Sequence, residues 1–102
     1  MTKIYISGKI TGLPMEEVIE KFNNCEKQLQ EEGFITFNPI KISPYSEEKT
    51  WEDYMVSDIE ALFKCDAIYM MLDWGQSKGA RIEYQIAKEM GIQIYFEEIT
   101  KK

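Results

Sequence analysis

The feature that most constrains the fold of this chain is a regular alternation of short β-type runs and amphipathic helical segments. Four runs rich in β-branched and aromatic residues are predicted strands: 3–7, 34–39, 66–72 and 92–96. Between them, apolar residues recur at helical spacing and predict three helices. The order β-α-β-α-β-α-β is typical of a parallel sheet with helices on both faces. We therefore predict a three-layer, flavodoxin- or Rossmann-like α/β fold with four parallel strands and three helices.

Local signals place the ends of the helices. Pro14 suits the first turn of helix one, and Gly33 lies where that helix needs a left-handed residue. Residues 40–49 have no periodic pattern and are predicted to be a loop. Thr50, with Asp53 three residues later, resembles a capping box at the start of helix two.

Length and charge limit the classes of function. At 102 residues, we expect a single domain covering 1–102. The chain has 12 basic and 18 acidic residues, a net charge of −6 that disfavours duplex nucleic acid as a partner. No signal peptide or apolar run of membrane-spanning length is visible, so we expect no membrane partner. Cys25 and Cys65 lack CxxC spacing and are expected to be reduced in a cytoplasmic protein.

The sequence contains no histidine. This removes Ser-His catalysis and most transition-metal sites, so we expect neither a metal nor another cofactor. Acid–base chemistry must then use carboxylates, tyrosine or lysine.

Two glycine-containing loops are predicted to meet at one edge of the sheet. Residues 8–12 follow the first strand and 73–79 follow the third, and ligands of parallel sheets bind beyond the carboxyl ends of the strands. The first loop can present backbone amides and the Lys9 ammonium to an anion, or it is simply a connector. Ser77 is expected to cap the next helix, a role compatible with a second one as a hydroxyl donor to a ligand.

Glu83 is the most informative residue of the chain. It shares a helical stripe with Ala80, Ala87 and Met90, a stripe expected to face the sheet. A buried carboxylate costs several kcal/mol unless it is satisfied, which indicates a function. The alternative is that Glu83 turns to the solvent beside its neighbours. Asp58 in the second helix presents the same two possibilities.

Aromatic and sulfur-containing residues near the loops leave further alternatives open. Trp74 and Met71 either stack on a flat ligand ring or pack in the core. The Tyr5 hydroxyl is placed to donate to a carboxylate. A last group of aromatic residues is predicted to form a subunit interface: Tyr45, Trp51 and Tyr54.

Three segments together resemble the nucleoside 2-deoxyribosyltransferase-like superfamily, which includes 2-deoxynucleoside 5-phosphate N-hydrolases and small uncharacterised bacterial and phage relatives. They are YISGKITG at 5–12, DIEALFKCDA at 58–67 and SKGARIE at 77–83. The likeness runs from about Ile4 to Phe96. It implies that Glu83 is the nucleophile at the anomeric carbon, that Asp58 assists departure of the base, and that Tyr5 holds the nucleophile.

The resemblance also implies a phosphate-binding set. Its members are Ser7, Gly8, Lys9, Ile10, Gly12, Ser77 and Gly79. A serine at position 77 resembles the hydrolase branch, whereas Lys9 replaces a small residue there. By resemblance, a homodimer or higher homo-oligomer is expected.

The leading functional hypothesis is an N-glycosidase that cleaves or transfers the base of a 2-deoxynucleoside or its 5-monophosphate. Paired carboxylates suit the oxocarbenium-like transition state of such a reaction, provided that their environments separate the two pKa values. The chain ends soon after the fourth predicted strand, without the segment that completes a neighbouring subunit's site in the resembled enzymes. This motivates a second hypothesis, a module that binds a nucleotide or nucleotide-derived signal without turnover. A third is a NAD glycohydrolase.

Overall fold

The computed structural model describes residues 1–99, and it confirms the predicted α/β class with an all-parallel four-stranded sheet. Residues 100–102, part of the tail expected after the last strand, lie outside the described residues. The elements are, in chain order, β1 (Lys3–Ser7), α1 (Met15–Glu31), β2 (Ile35–Phe37), α2 (Pro39–Ile42), α3 (Trp51–Phe63), β3 (Ala67–Met70), α4 (Lys78–Met90) and β4 (Gln93–Phe96).

The strand order in the sheet is β2-β1-β3-β4. From β1 the chain moves outward to β2, and it then returns to place β3 on the opposite side of β1. The register pairs Ile4 with Ala67 and Ser7 with Met70. The strand order therefore reverses between β1 and β3, and a crevice at their carboxyl ends is the expected ligand site of such a sheet.

Alternation along β1 separates the two cores of the molecule. Ile4 and Ile6 face α1 and pack with Val18 and Phe22 of that helix. Tyr5 faces the other layer, where it packs with residues of α3 and α4 such as Leu62. Because successive side chains of a strand point to opposite faces, Ser7 shares the α4 side with Tyr5.

The predicted helix ends are confirmed. Thr50 accepts a hydrogen bond from the backbone N–H of Asp53, whose carboxylate accepts one from the Thr50 N–H. Ser77 caps α4 by accepting from the N–H of Ala80. Gly33 has a φ of 97°, a left-handed conformation that disfavours a side chain.

The prediction of a loop over 40–49 is wrong at its start, where α2 forms. Asn38 caps this short helix by accepting from the Ile40 N–H, and Pro39 occupies its first turn. Lys41 also pairs with the buried Glu26 of α1, which fixes α2 to the rest of the molecule. The sequence pattern missed α2 because Pro39 stops β2 and starts the helix at the same residue. A 3-10 turn over Trp74–Gln76 also interrupts the predicted loop at 73–79.

Two further features concern the described residues as a whole. Cys25 and Cys65 are both free thiols. Across residues 1–99, no helix combines the length and the apolar character needed to cross a lipid bilayer.

Candidate functional site

A cavity of about 380 Å³ opens at the carboxyl end of β1, the strand at which the strand order reverses. Its volume lies in the range of about 300–1,000 Å³ that is usual for small-molecule sites. Four parts of the chain form its walls: the end of β1 with the following loop, the α2 region, α3, and the first turns of α4. The lining residues are Tyr5, Ile6, Gly8, Ile10, Thr11, Gly12, Leu13, Met15, Pro39, Ile40, Ser43, Tyr45, Trp51, Tyr54, Met55, Asp58, Ser77, Gly79, Ala80 and Glu83.

Glu83 lies inside the molecule, with 4% of its surface exposed, on the stripe of α4 that faces the sheet. The Tyr5 hydroxyl donates to Oε2 of Glu83 at 3.0 Å, and the Ser7 hydroxyl donates to Oε1 at 2.7 Å. Both donors come from β1, whose alternation turns residues 5 and 7 toward α4. Each oxygen of the Glu83 carboxyl therefore has a neutral partner, and the side chain is fixed at the cavity wall.

Asp58 supplies a second buried carboxyl to the same cavity from α3. Its Oδ1 atom is buried and has no hydrogen-bond partner among the residues that the structure describes. Burial raises the pKa of Asp58 to about 7, although the nearby Lys49 charge and the Tyr5 hydroxyl act in the opposite direction. An acid with this pKa holds a proton at neutral pH far more often than an exposed aspartate does.

The environment of Glu83 also raises the pKa of its carboxyl. Burial raises the pKa of Glu83 to about 8, the charge of Asp58 adds to the rise, and the hydrogen bonds from Ser7 and Tyr5 oppose it. Burial, together with the charges of both carboxyls, also raises the pKa of the Tyr5 phenol. The two carboxyls therefore titrate as a coupled pair that holds one proton near neutral pH. The pKa values of Asp58 and Glu83 lie close together, without the large separation that we expected for an acid and a nucleophile.

The loop after β1 is fastened to the loop after β3 by a small polar cluster outside the cavity. Asp73 accepts a hydrogen bond from the Lys9 N–H at 3.0 Å and pairs with the Lys21 ammonium at 2.6 Å. Lys21 also donates to the Lys9 carbonyl at 2.8 Å. The backbone amide of Lys9 is therefore occupied within the protein, and its side chain does not line the cavity. Sequence analysis did not identify Lys21, because its partners are distant in the chain.

The remaining predicted binding residues divide into two groups. Gly8, Ile10, Gly12, Ser77 and Gly79 line the cavity, whereas Ser7 lies behind Glu83 and reaches the site only through its hydrogen bond.

Met71 and Trp74, the predicted base contacts, lie outside the cavity. Met71 packs in the core under α1, and Trp74 stacks on Tyr84 at a centroid distance of 4.7 Å. Both side chains therefore pack within the protein, which is the second of the two alternatives. Their position follows from β3 and the 3-10 turn, which direct both side chains into the cores on either face of the sheet.

The aromatic residues of the cavity come from a segment that sequence analysis assigned to a subunit interface. Tyr45, Trp51 and Tyr54 line the cavity, and their place in a subunit interface stays a prediction. The Tyr54 hydroxyl accepts from the Ser46 N–H at 2.7 Å and donates to the Ser46 carbonyl at 3.0 Å, which holds the segment in place. The signal that identifies them is topological: the segment leaves the carboxyl end of β2, at the same edge as the two glycine-containing loops.

The charge of the cavity follows from its lining. Within residues 1–99, no lysine or arginine side chain contributes to the wall, and the ionisable carboxyls there are Asp58 and Glu83. Two lysines lie near the wall aromatics, with Lys78 Nζ 4.7 Å from the ring centroid of Trp51 and Lys49 Nζ 5.5 Å from that of Tyr54. The described residues contain no cluster of three or more His, Cys, Asp or Glu side chains fit to hold a metal. The arrangement suits a largely neutral ligand with a flat apolar part and a centre that reacts with carboxyl groups.

Comparison with known proteins supports the fold on which this geometry depends. The solved structure of a 2-deoxyribosyltransferase from the psychrotolerant bacterium Bacillus psychrosaccharolyticus superposes with a TM-score of 0.71, over 97% of this chain and 77% of that chain. The two sequences are 19% identical, so the similarity shows a shared fold, and it confirms the predicted resemblance at that level. No curated protein matches the sequence. A family model matches residues 2–96, and the chain therefore belongs to the family described as Domain of unknown function (DUF4406).

Proposed function

We propose that this protein is an N-glycosidase that releases or transfers the base of a 2-deoxynucleoside through Glu83. The observation that carries the proposal is the pair of buried carboxyls, Glu83 and Asp58, on the wall of one ligand-sized cavity. The structural neighbour is a 2-deoxyribosyltransferase, and its shared fold supports a glycosyl-transfer role.

Glu83 is the better placed of the two for nucleophilic attack. Two hydroxyl donors fix its carboxyl and favour its ionised form, and neither donor takes up a proton at neutral pH. Glycosidases that retain configuration use such a carboxylate to form a covalent glycosyl-enzyme ester. Tyr5 and Ser7 are positioning residues in this scheme, because they act on the substrate through Glu83.

Asp58 is the proposed acid. Its Oδ1 atom has no partner within residues 1–99 and is free to donate a proton to a departing base. Burial leaves the higher pKa on Glu83. Positive charge that develops on the sugar beside Glu83 stabilises its carboxylate, so the shared proton moves to Asp58 as the reaction proceeds.

The proposed reaction has two steps. In the first, a Glu83 oxygen bonds to the anomeric carbon, the carbon–nitrogen bond breaks, and its electron pair leaves with the base, which takes the proton of Asp58. In the second, water attacks the same carbon, the bond to Glu83 breaks, and Asp58 recovers a proton from the water. Attack by the nitrogen of another base in place of water gives transfer rather than hydrolysis.

The charge of the cavity favours the nucleoside over its 5-monophosphate. The walls contain two carboxyls and no cationic side chain within the described residues, and the Lys9 amide is occupied by Asp73. A phosphate dianion near the two carboxyls is disfavoured in a medium of low dielectric constant.

The test is release of free base from a panel of deoxynucleosides, their 5-monophosphates and NAD, followed by chromatography. Wild type is compared with Glu83→Gln and with Glu89→Gln, an exposed position on the same helix. We expect E83Q to lose activity by a factor on the order of 10³ or more and E89Q to match wild type. Equal activity of E83Q and wild type would show that Glu83 is not the nucleophile.

The second candidate is a binding module that holds a nucleoside without turnover. The pKa of about 8 for Glu83 favours it, because a protonated carboxyl is not a nucleophile at neutral pH. Under this alternative the same panel shows ligand-dependent stabilisation in thermal melts and recovery of the ligand unchanged.

A further inference from the structure

Two buried side-chain oxygens have no hydrogen-bond partner within residues 1–99, and both belong to residues that line the same cavity. They are Oδ1 of Asp58 and Oγ of Ser43, whose residue is 7% exposed. Most buried polar atoms of native proteins are paired, so each unpaired one needs an explanation. The chemistry proposed above explains Asp58 but gives Ser43 no role.

Ser43 is held firmly in place. Its backbone N–H donates to the Pro39 carbonyl at 2.9 Å and ends α2. The helix is in turn fixed by its Asn38 cap and by the ion pair between Lys41 and Glu26. The backbone of Ser43 is therefore held in place, and its buried hydroxyl lies at the cavity wall, unlike that of a surface serine exposed to water.

The residues that follow Ser43 supply flat apolar surfaces. Tyr45, Trp51 and Tyr54 all line the cavity. Two hydrogen bonds between Tyr54 and Ser46 hold residues 46 and 54 of this segment together. Aromatic faces bind flat rings by stacking, and a hydroxyl can either donate to or accept from the polar edge of such a ring. The segment thus provides both aromatic faces and a hydroxyl, the two kinds of group that can recognise a heteroaromatic base.

We infer that Ser43 is a specificity-determining residue, whose hydroxyl hydrogen-bonds the polar edge of the base while the aromatic side chains of 45–54 pack on its face. The inference rests on the proposed function, since it takes a deoxynucleoside as the ligand. It assigns the base to the α2 side of the cavity and the sugar to the side of Glu83. The base would supply the hydrogen-bond partner that the Ser43 hydroxyl lacks within residues 1–99.

The experiment measures the Kd of natural deoxynucleosides by calorimetry for wild type, Ser43→Ala and the control Ser57→Ala, a serine of α3 outside the cavity wall. Each deoxynucleoside is paired with an analogue that lacks one polar group of the base, such as purine deoxyriboside for deoxyadenosine. Chemical unfolding of all three proteins is recorded first.

We expect S43A to be at least as stable as wild type, because it removes an unpaired buried hydroxyl. It should bind the preferred deoxynucleoside about threefold to tenfold more weakly, and S57A should match wild type. With the analogue that lacks the contacted group, wild type and S43A should bind equally.

Three results overturn the inference in distinguishable ways. Equal affinity of S43A and wild type for every natural deoxynucleoside, with turnover intact, removes the role of Ser43 and leaves the proposed function standing. A weakening that persists with every base analogue places the contact on the sugar instead. If wild type binds no deoxynucleoside, the proposed function and the inference both fail.

Discussion

The two buried carboxyls predict an unusual dependence of stability on pH, and Glu83→Gln isolates the share of Glu83. In the folded protein burial raises the pKa of Glu83 from 4.5 to about 8. A raised carboxyl pKa means that the folded state binds the proton more tightly than the unfolded state does. The contribution of Glu83 to stability is therefore greatest below about pH 4.5, falls as pH rises toward 8, and is constant above that value.

The magnitude follows from the same two pKa values. At about 1.4 kcal/mol for each pKa unit, a rise from 4.5 to about 8 corresponds to about 5 kcal/mol. That loss is comparable with the whole stability of a small domain, roughly 5–15 kcal/mol. Glutamine accepts from one of the two hydroxyls and donates to the other, so E83Q keeps both contacts but carries no charge.

The assay is urea unfolding at pH 5, 7 and 9, followed by circular dichroism. Near pH 5 we expect E83Q and wild type to be similarly stable, because Glu83 is protonated there. At pH 9 E83Q should be more stable by about 3–5 kcal/mol. The exposed control Glu89→Gln should follow wild type at every pH. Parallel curves for E83Q and wild type from pH 5 to 9 would refute the argument, since Glu83 would then titrate alike in both states.

Three further predictions concern the reaction and the packing of the site. Base release should follow a bell-shaped pH profile with its maximum between about pH 7 and 8, where the pair holds one proton, and a rate unchanged from pH 5 to 9 would contradict this. Asp58→Asn should slow base release from ordinary deoxynucleosides by about 10²–10⁴-fold but should slow release from 7-methyldeoxyguanosine much less, because that base departs without needing a proton; an equal loss on both substrates would exclude Asp58 as the acid. Gly8→Ala should destabilise the protein by about 1–3 kcal/mol in urea unfolding, because its Cβ would lie 2.6 Å from Sδ and 3.0 Å from Cβ of the buried Met71. The matched change Gly75→Ala, where nothing lies within 4 Å, should have an effect within about 0.5 kcal/mol, and similar losses for the two variants would show that Gly8 is not closely packed.

Much of the fold follows from local sequence patterns. Alternating β-type runs and amphipathic segments predicted the parallel sheet, and the capping residues Thr50 and Ser77 predicted where α3 and α4 begin. These features depend on contacts within a few residues, so periodicity and side-chain chemistry are enough to predict them. The short helix α2 was missed because Pro39, which was interpreted as the end of a strand, also lies in the first turn of a helix too short to show a periodic pattern.

The candidate site was predictable only in part. The stripe of apolar residues around Glu83 indicated a buried carboxyl, and the resemblance implied Tyr5 as its partner, but only the structure shows the second donor, Ser7, 76 residues away in the chain. Sequence reasoning left Trp74 and Met71 either beside a flat ligand ring or in the core, because they adjoin a loop at the right edge. The structure places both outside the cavity, whose wall contains Trp51 and Tyr54.

By itself, then, the sequence determined the four strands, the three longer helices and their order, and it indicated a carboxyl on an inward-facing stripe of α4, because each is specified by neighbours along one helix or strand. Only the tertiary structure decided that β1 turns two hydroxyls toward Glu83, that Asp58 shares its cavity, and that Ser43 has no partner there. The physical reason is that strand order and register bring these residues together across four separate segments, and burial then sets their charge states. Neither effect can be read from residues adjacent in the chain.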